Sequence, residues 1–362
     1  MLERYGHGGD LRTAAESYGL SVNSFLDFSS NMNPLGPPNI IHDVLVNYVR
    51  EIHNYPDPAV RGLRDKLSLL HQVDATSLLI GNGAAELIDL VIRALKPTSV
   101  TVAVPCFAEY ADAARKQGAV VNELPLNSES GFVLDEKWVQ HAIETSHGDV
   151  YMLGSPNNPT GRLVHPDLIM QLLESGAIVI IDEAFMDFVS EDKGVSLVER
   201  ASTHHKLFVI RSMTKFYSIS GIRLGYMVGH PDNMQVLREL QVPWSVNSLA
   251  QLIGEAVLDQ QSFAIETMKW LQIERTWMIT KLVGLGFEVC PSEANYLLLR
   301  LPASMNIDAR QLQGELGRKG VLIRDASLFP GLDERYIRVA VKLRGQNEKL
   351  LSEFNKLLPT GV

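Results

Sequence analysis

Ile178-Val179-Ile180-Ile181-Asp182-Glu183 sets four β-branched apolar residues directly in front of two carboxylates. Such residues favour a strand. An unbroken apolar run, rather than an alternating one, suits a strand covered on both faces. Similar runs lie on either side, at 78–80, 100–104, 150–153, 207–210 and 225–228. Helical stretches separate most of the earlier ones. Short buried strands alternating with helices imply an α/β fold with a mainly parallel sheet flanked by helices. Several runs end in polar or Gly/Pro clusters, at 81–83, 105–107, 155–161, 182–183 and 211–215. Ligands bind at the carboxyl ends of strands in open α/β sheets, so these clusters are expected to converge on one site.

The rest of the chain is read outward from that sheet. Residues 1–35 form an N-terminal arm, turn-rich at Gly6-His7-Gly8-Gly9 and at 31–38, with a short helix expected within 11–20. Helices are expected over 40–51 and 60–71. The large domain spans 36–245. A long helix over 242–258 then leads into a smaller α+β domain, 246–362. Its strands are expected at 287–290, 296–299, 321–324 and 336–341, and its helices at 309–319 and 348–358.

Composition excludes several classes. The 362 residues carry 33 Lys and Arg against 42 Asp and Glu, a net charge of −9. Nucleic-acid binders carry a basic excess, so no such partner is expected. No apolar run reaches the roughly 18 residues of a membrane span, so no membrane is expected. The start, MLERYGHGGD, lacks the apolar region of a secretory signal. Cys106 and Cys290 have no metal-ligand spacing and cannot frame a disulfide scaffold. No metal site is expected, and a reducing cytoplasm fits.

The polar clusters suit one cofactor. Pyridoxal phosphate needs a lysine for its Schiff base and a carboxylate for its pyridinium nitrogen. Lys215 and Asp182 supply them, each after a strand. Its phosphate needs backbone N–H groups at a helix N-terminus. Gly81-Asn82-Gly83-Ala84-Ala85-Glu86, followed by an apolar helix, has that form, and Thr214 and Arg223 add a hydroxyl and a positive charge. Taken singly, each piece has a plainer reading. Lys215 is then a solvated charge, Asp182 an N-cap or half of an ion pair, and 155–161 a turn. The ordered combination favours the cofactor.

Ser-Pro-Asn-Asn-Pro-Thr-Gly at 155–161, Asp-Glu-Ala-Phe at 182–185 and Ser-Met-Thr-Lys-Phe-Tyr at 212–217 resemble fold-type I aminotransferases. Within them the chain looks like the histidinol-phosphate aminotransferase branch. It is more similar still to the threonine-phosphate decarboxylases of cobalamin biosynthesis. That likeness rests on His7-Gly8-Gly9, LDFSSNMNPLGPP at 26–38, 106–110, 243–247, 294–298 and 329–333. The resemblance implies that Lys215 binds the cofactor covalently and that Asp182 keeps its ring nitrogen protonated. It implies that Asn157 bonds the phenolic oxygen and touches the substrate, and that Phe107 stacks on the ring. Ala84, Ala85, Thr214 and Arg223 would bind the phosphate. Tyr55 would reach the neighbouring subunit's cofactor, which implies a homodimer. Aminotransferases of this group usually place a tyrosine three residues after the aspartate, where this chain has Phe185. That departure leans away from transamination, although simple packing also accounts for it.

Arg324 and Arg338 sit in apolar strand runs, where a guanidinium seeks an oxyanion. Each alone can equally be half of a structural salt bridge. The resemblance assigns Arg338 to the substrate carboxylate and Arg324 to the phosphate region, with His7, Gly8 and Asn31 completing the pocket. The implied reaction decarboxylates O-phospho-L-threonine to (R)-1-amino-2-propanol O-2-phosphate. Holding the phosphate in the arm could turn the carboxylate perpendicular to the cofactor ring, the position from which a bond to Cα breaks. The alternative is histidinol-phosphate aminotransferase, dependent on 2-oxoglutarate or glutamate. A sensor module of a transcription regulator is more remote, because no DNA-binding domain fits before the first core helix.

Overall fold

The computed structural model describes residues 8–146, 149–190 and 193–358. Strand β1 (Leu26–Asp27) lies in the N-terminal segment. The large sheet then takes β2 (Leu78–Gly81), β3 (Ser99–Val104), β4 (Val120–Pro125), β5 (Val150–Gly154), β6 (Ile178–Asp182), β7 (Leu207–Ser212) and β8 (Gly225–Val228). Their order across the sheet is β2-β8-β7-β6-β5-β3-β4. Strands β3 to β7 run parallel to their neighbours among themselves, and β8 runs antiparallel to both β7 and β2. The expected mainly parallel sheet is therefore present. Strand β4 escapes the apolar pattern because it is an edge strand bearing Asn122 and Glu123, as solvent-facing edges do.

The central strands bury both faces. Ile180, Met152, Val102 and Ile210 pack against the helices Ala84–Leu95 and Ala108–Lys116. Val179, Ile181, Leu153 and Val209 face the opposite layer, with Leu63, Leu67, Leu172 and Ile253. Each such side chain contributes about 1.5–3 kcal/mol when fully buried. The alternation also aims the polar strand ends. Asp182 has the parity of Ile180, so it points toward the helix Ala108–Lys116.

Beyond the sheet, the C-terminal segment adds β9 (Glu288–Val289), β10 (Tyr296–Arg300), β11 (Val321–Leu322), β12 (Arg324–Asp325) and β13 (Tyr336–Ala340). Four of them form an antiparallel sheet in the order β12-β13-β10-β9. Phe28, Phe185, Phe188 and Phe216 from earlier in the chain pack into the core beneath it.

Two local expectations change. The helix expected over 242–258 begins only at Ser248. Pro243 lacks a donor, Trp244 adopts φ 57°, and Asn247 caps the helix by accepting from the Ala250 N–H at 2.8 Å. The run 321–324 is two strands serving two sheets. Strand β11 pairs parallel with β1, and β12 pairs antiparallel with β13. Between them the Ile323 carbonyl accepts from the Gln313 side chain at 3.0 Å, which breaks the ladder.

Candidate active site

The strand order reverses at β3. Strand β4 lies on one side of it, while β5 to β8 continue on the other. Such a switch point opens a crevice beyond the strand ends. Pro105 and Phe107 follow β3, and Asn157 follows β5. The Asn157 amide bridges the gap, donating to the Pro105 carbonyl at 3.0 Å and to Thr160 Oγ1 at 3.0 Å. Both amide hydrogens are thus engaged within the protein. The donor expected for a cofactor's phenolic oxygen must exchange one of these bonds to serve it.

Asp182 ends the next strand, paired in register with Gly154. It is buried. Its Oδ2 accepts from the Tyr110 hydroxyl at 2.8 Å, and its Oδ1 from the Ala184 N–H at 2.9 Å. Burial pushes the carboxyl's pKa up, against the pull of the Tyr110 hydrogen bond, the Lys215 ammonium and the Ala184 N–H. Phe107 packs edge-on against Tyr110, centroids 5.6 Å apart. Behind Asp182, the buried Glu183 accepts from Leu197 N–H and Ser196 and pairs with Arg211 at 2.9 Å. That network is structural and braces the strand end.

Lys215 follows β7. Its Nζ donates to Ser212 Oγ at 3.0 Å and lies 5.7 Å from the centre of the Phe185 ring. Burial lowers its pKa most, Asp182 raises it, and Arg223 lowers it, for a value of about 8. Ser212 Oγ also meets Thr214 Oγ1 at 2.8 Å. Ala84 and Ala85 begin the helix Ala84–Leu95, whose first N–H groups have no partner within the helix. Two glycines permit close approach at this corner. A Cβ on Gly83 would sit 2.7 Å from Arg223 Nη2, and one on Gly225 would sit 2.9 Å from the Ala84 nitrogen. Arg223 itself takes the left-handed φ of 61°.

The substrate-side arginines meet through sheet register. Arg324 on β12 lies directly opposite Arg338 on β13. Opposite residues of an antiparallel pair share one face, and like charges placed so repel. Both are buried, at 6% and 5% exposed. The Arg338 Nη2 donates to the Ser29 carbonyl at 2.8 Å, and its Nη1 donates to Asn158 Oδ1. Its guanidinium lies 5.5 Å from the Tyr296 ring centre, and Arg324 the same distance from Phe329. Asn31 is buried, its backbone carbonyl accepting from Asn295 Nδ2 at 2.9 Å. Gly8 presses on Ser29, where an added Cβ would stand 2.4 Å from the carbonyl oxygen. His7 lies outside the described residues. Tyr55 stands apart at the surface, 84% exposed, its ring tilted against that of Trp244 with centroids 5.3 Å apart.

The chain matches the family described as Aminotransferase class I and II over residues 18–354. It belongs to the class I and II aminotransferase family. It is 38% identical to a threonine-phosphate decarboxylase of Salmonella typhimurium, across 98% of this chain and 97% of that protein. It is 33% identical to a histidinol-phosphate aminotransferase of Roseiflexus castenholzii, across 97% and 94%. The crystal structure of L-threonine-O-3-phosphate decarboxylase from Porphyromonas gingivalis superposes with a TM-score of 0.80 at 30% identity, covering 91% of this chain and 98% of that one.

This aminotransferase family depends on pyridoxal phosphate. The residues present fit that group. Gly83 and Gly225 let the Arg223 guanidinium and the Ala84 nitrogen approach where a Cβ would collide, and with the first N–H groups of the helix and the Ser212 and Thr214 hydroxyls they make a donor set suited to a phosphate. A buried carboxylate and a lysine of lowered pKa face the same crevice. Sequence reasoning missed Tyr110, Ser212 and Ser29. Ser212 had a local signal, lying three residues before Lys215 at a strand end. Tyr110 is the single aromatic in the helix AEYADAARK, which marks it as buried but not as a partner of Asp182. Ser29 had none.

Proposed function

We propose that this enzyme decarboxylates O-phospho-L-threonine with pyridoxal phosphate, releasing CO2 and (R)-1-amino-2-propanol O-2-phosphate, a step of cobalamin biosynthesis. The observation that carries the reading is the pair of buried arginines opposite each other at the arm. Two guanidiniums on one sheet face offer donors to a ligand with two anionic ends, and a phosphorylated amino acid has them. The overall likeness to threonine-phosphate decarboxylases supports the same substrate class.

Bound cofactor supplies an electron sink for the pair left on Cα when CO2 departs. The protein's own residues do the rest. Lys215 would attach the cofactor and, once displaced by substrate, would as its ammonium donate the proton that takes the place of CO2 on Cα. Asp182, steadied by Tyr110, holds a proton at the ring nitrogen. Phe107 covers the ring. Ala84, Ala85, Ser212, Thr214 and Arg223 bind the phosphate, and Asn157 serves the phenolic oxygen. Arg338 takes the substrate carboxylate, while Arg324, Asn31, Gly8 and His7 take its phosphate.

We further propose a cytoplasmic homodimer. Val46, Val49, Ile52, Tyr55, Val242 and Trp244 leave large apolar area exposed, which suits a second copy. In that dimer Tyr55 reaches the neighbour's cofactor phosphate. Both cysteines are free and buried, in keeping with a reducing compartment. Among the described residues, no helix is long and apolar enough to cross a membrane.

The test is product analysis with enzyme, pyridoxal phosphate and O-phospho-L-threonine, no keto acid added. Stoichiometric CO2 and aminopropanol phosphate are expected. Absence of CO2, with amino transfer from histidinol phosphate once 2-oxoglutarate is present, would overturn the reading in favour of the aminotransferase.

A further inference from the structure

The segment around Ser29 is bonded in two directions at once. Upstream, Phe28 is held in place by its neighbours: its N–H donates to the Leu322 carbonyl at 2.7 Å, and its carbonyl accepts from Ala340 at 2.9 Å. Asp27 then organises the turn that follows. Its Oδ1 accepts from the Ser29 N–H at 2.8 Å and from the Ser29 hydroxyl at 2.6 Å, and its Oδ2 accepts from the Ser30 hydroxyl at 2.7 Å. Asp27 is itself drawn toward the buried Lys342, whose ammonium it favours against desolvation. Ser29 is left buried with two groups to offer.

Each group serves a different end of the pocket. The Ser29 carbonyl accepts from Arg338 Nη2 at 2.8 Å. The Ser29 hydroxyl oxygen accepts from the Gly9 N–H at 2.9 Å, which fixes the arm. The arm lies so close that a Cβ on Gly8 would be 2.4 Å from the Ser29 carbonyl oxygen and 2.9 Å from its carbon. Only a glycine lets the arm pass without displacing the oxygen that orients Arg338. Oriented charge-assisted bonds lose much of their value when the acceptor moves by a fraction of an ångström.

We propose that Ser29 is a positioning residue that anchors both ends of the substrate pocket, setting Arg338 through its carbonyl and the Gly8-Gly9 arm through its hydroxyl. Substrate carboxylate and substrate phosphate are then read by groups referenced to one turn, so the distance between the two anion sites is set by Ser29. This rests on the substrate reading above. Asp27 supports Ser29 and acts through it.

The experiment measures binding of two half-substrates to the holoenzyme by the change in cofactor absorbance. L-Threonine carries the carboxylate alone, and 1-amino-2-propanol phosphate carries the phosphate alone. Wild-type enzyme that binds neither, and releases no CO2 from O-phospho-L-threonine, would refute the substrate reading itself before any variant is made. Given wild-type binding, Ser29→Ala keeps the carbonyl but loosens it by removing the hydroxyl's bonds to Asp27 and Gly9, so the phosphate ligand is expected to weaken five- to tenfold and L-threonine two- to threefold, and Ser29→Thr, which keeps the hydroxyl, is expected to restore both. Loss confined to the phosphate ligand would reduce Ser29 to an arm tether and overturn the proposal. No loss for either ligand would overturn it too. Gly8→Ala provides an independent check should Ser29→Ala fold poorly. It pushes on the same carbonyl without removing a hydrogen bond, and is expected to weaken L-threonine as well as the phosphate ligand. Unchanged L-threonine binding in Gly8→Ala would count against the shared anchor.

Discussion

The Lys215 amine is expected to be reactive near neutral pH, and the structure says by how much. Its pKa stands at about 8 instead of the 10.5 of a free lysine. At pH 7 that leaves about one amine in ten neutral, against about one in three thousand for an exposed lysine. The difference is on the order of 3 kcal/mol between protonation states, and desolvation dominates it. The assay is covalent capture of pyridoxal by cofactor-free enzyme, followed by absorbance across pH 6 to 10. Pyridoxal lacks the phosphate, so attraction of a phosphate to the cradle stays out of the rate. The rate should climb with pH through a midpoint near pH 8 and level off above it. Two variants separate the causes. Asp182→Asn removes the charge that favours the ammonium, so the midpoint should fall. Arg223→Gln removes the charge that opposes it, so the midpoint should rise. A wild-type midpoint at 10 or above, or shifts of the opposite sign in the two variants, would refute the electrostatic account.

Three further substitutions test other parts of the site. Gly225→Ala places a methyl 2.7 Å from the Arg211 carbonyl and 2.9 Å from the Ala84 nitrogen, so affinity for pyridoxal phosphate should drop at least tenfold in a fluorescence titration with circular dichroism unchanged. Tyr110→Phe deprives a buried carboxylate of a donor, which should cost about 1.5–3 kcal/mol in urea unfolding of the cofactor-free protein at pH 7. Burial already raises the Asp182 pKa above its unfolded value, and losing the donor raises it further. The cost is therefore fully present above the variant's folded pKa and fades as pH falls from there through the lower, still raised, wild-type folded pKa, where the carboxyl takes its proton in both. Phe185→Tyr adds a hydroxyl to the ring that faces Lys215, and keto-acid-dependent amine transfer should rise relative to CO2 release; an unchanged ratio would leave Phe185 as packing alone.

How far the site was legible depends on sequence separation. Lys215, Thr214 and Ser212 sit within four residues, and Asp182 closes its own apolar run, so short motifs display them. The strand ends converge because a parallel sheet aligns them, and that too follows from the alternation of runs. Tyr110 reaches Asp182 from 72 residues away, and Ser29 reaches Arg338 from 309. Neither contact has a local signature, because each depends on how a helix or arm is laid against a distant strand. The two arginines were visible as buried cations in strands. Their register, Arg324 opposite Arg338, was not, since 321–324 read as one strand and is two. Asn157 was legible as a site residue, but its bonds to Pro105 and Thr160 were not.

That division has a consequence for how reactions diverge on this fold. The groups proposed to hold the cofactor come from short motifs at one end of the large sheet. The groups proposed to hold the substrate's two anionic ends are long-range, drawn from the arm, β12 and β13. A chain can keep the first set intact while the second is re-aimed, because different contacts hold them in place. This accounts for a chain that is 38% identical to a decarboxylase and still 33% identical to an aminotransferase over nearly its whole length. Both are named for phosphorylated substrates, so retention of a phosphate pocket is no discriminator. What is proposed to differ is which bond to Cα is held perpendicular to the cofactor ring, and Arg338, proposed to take a carboxylate, is held by Ser29 and Asn158. Substitutions meant to redirect the reaction therefore belong around Ser29, Asn158 and Phe185, where they leave the phosphate cradle and Asp182 undisturbed.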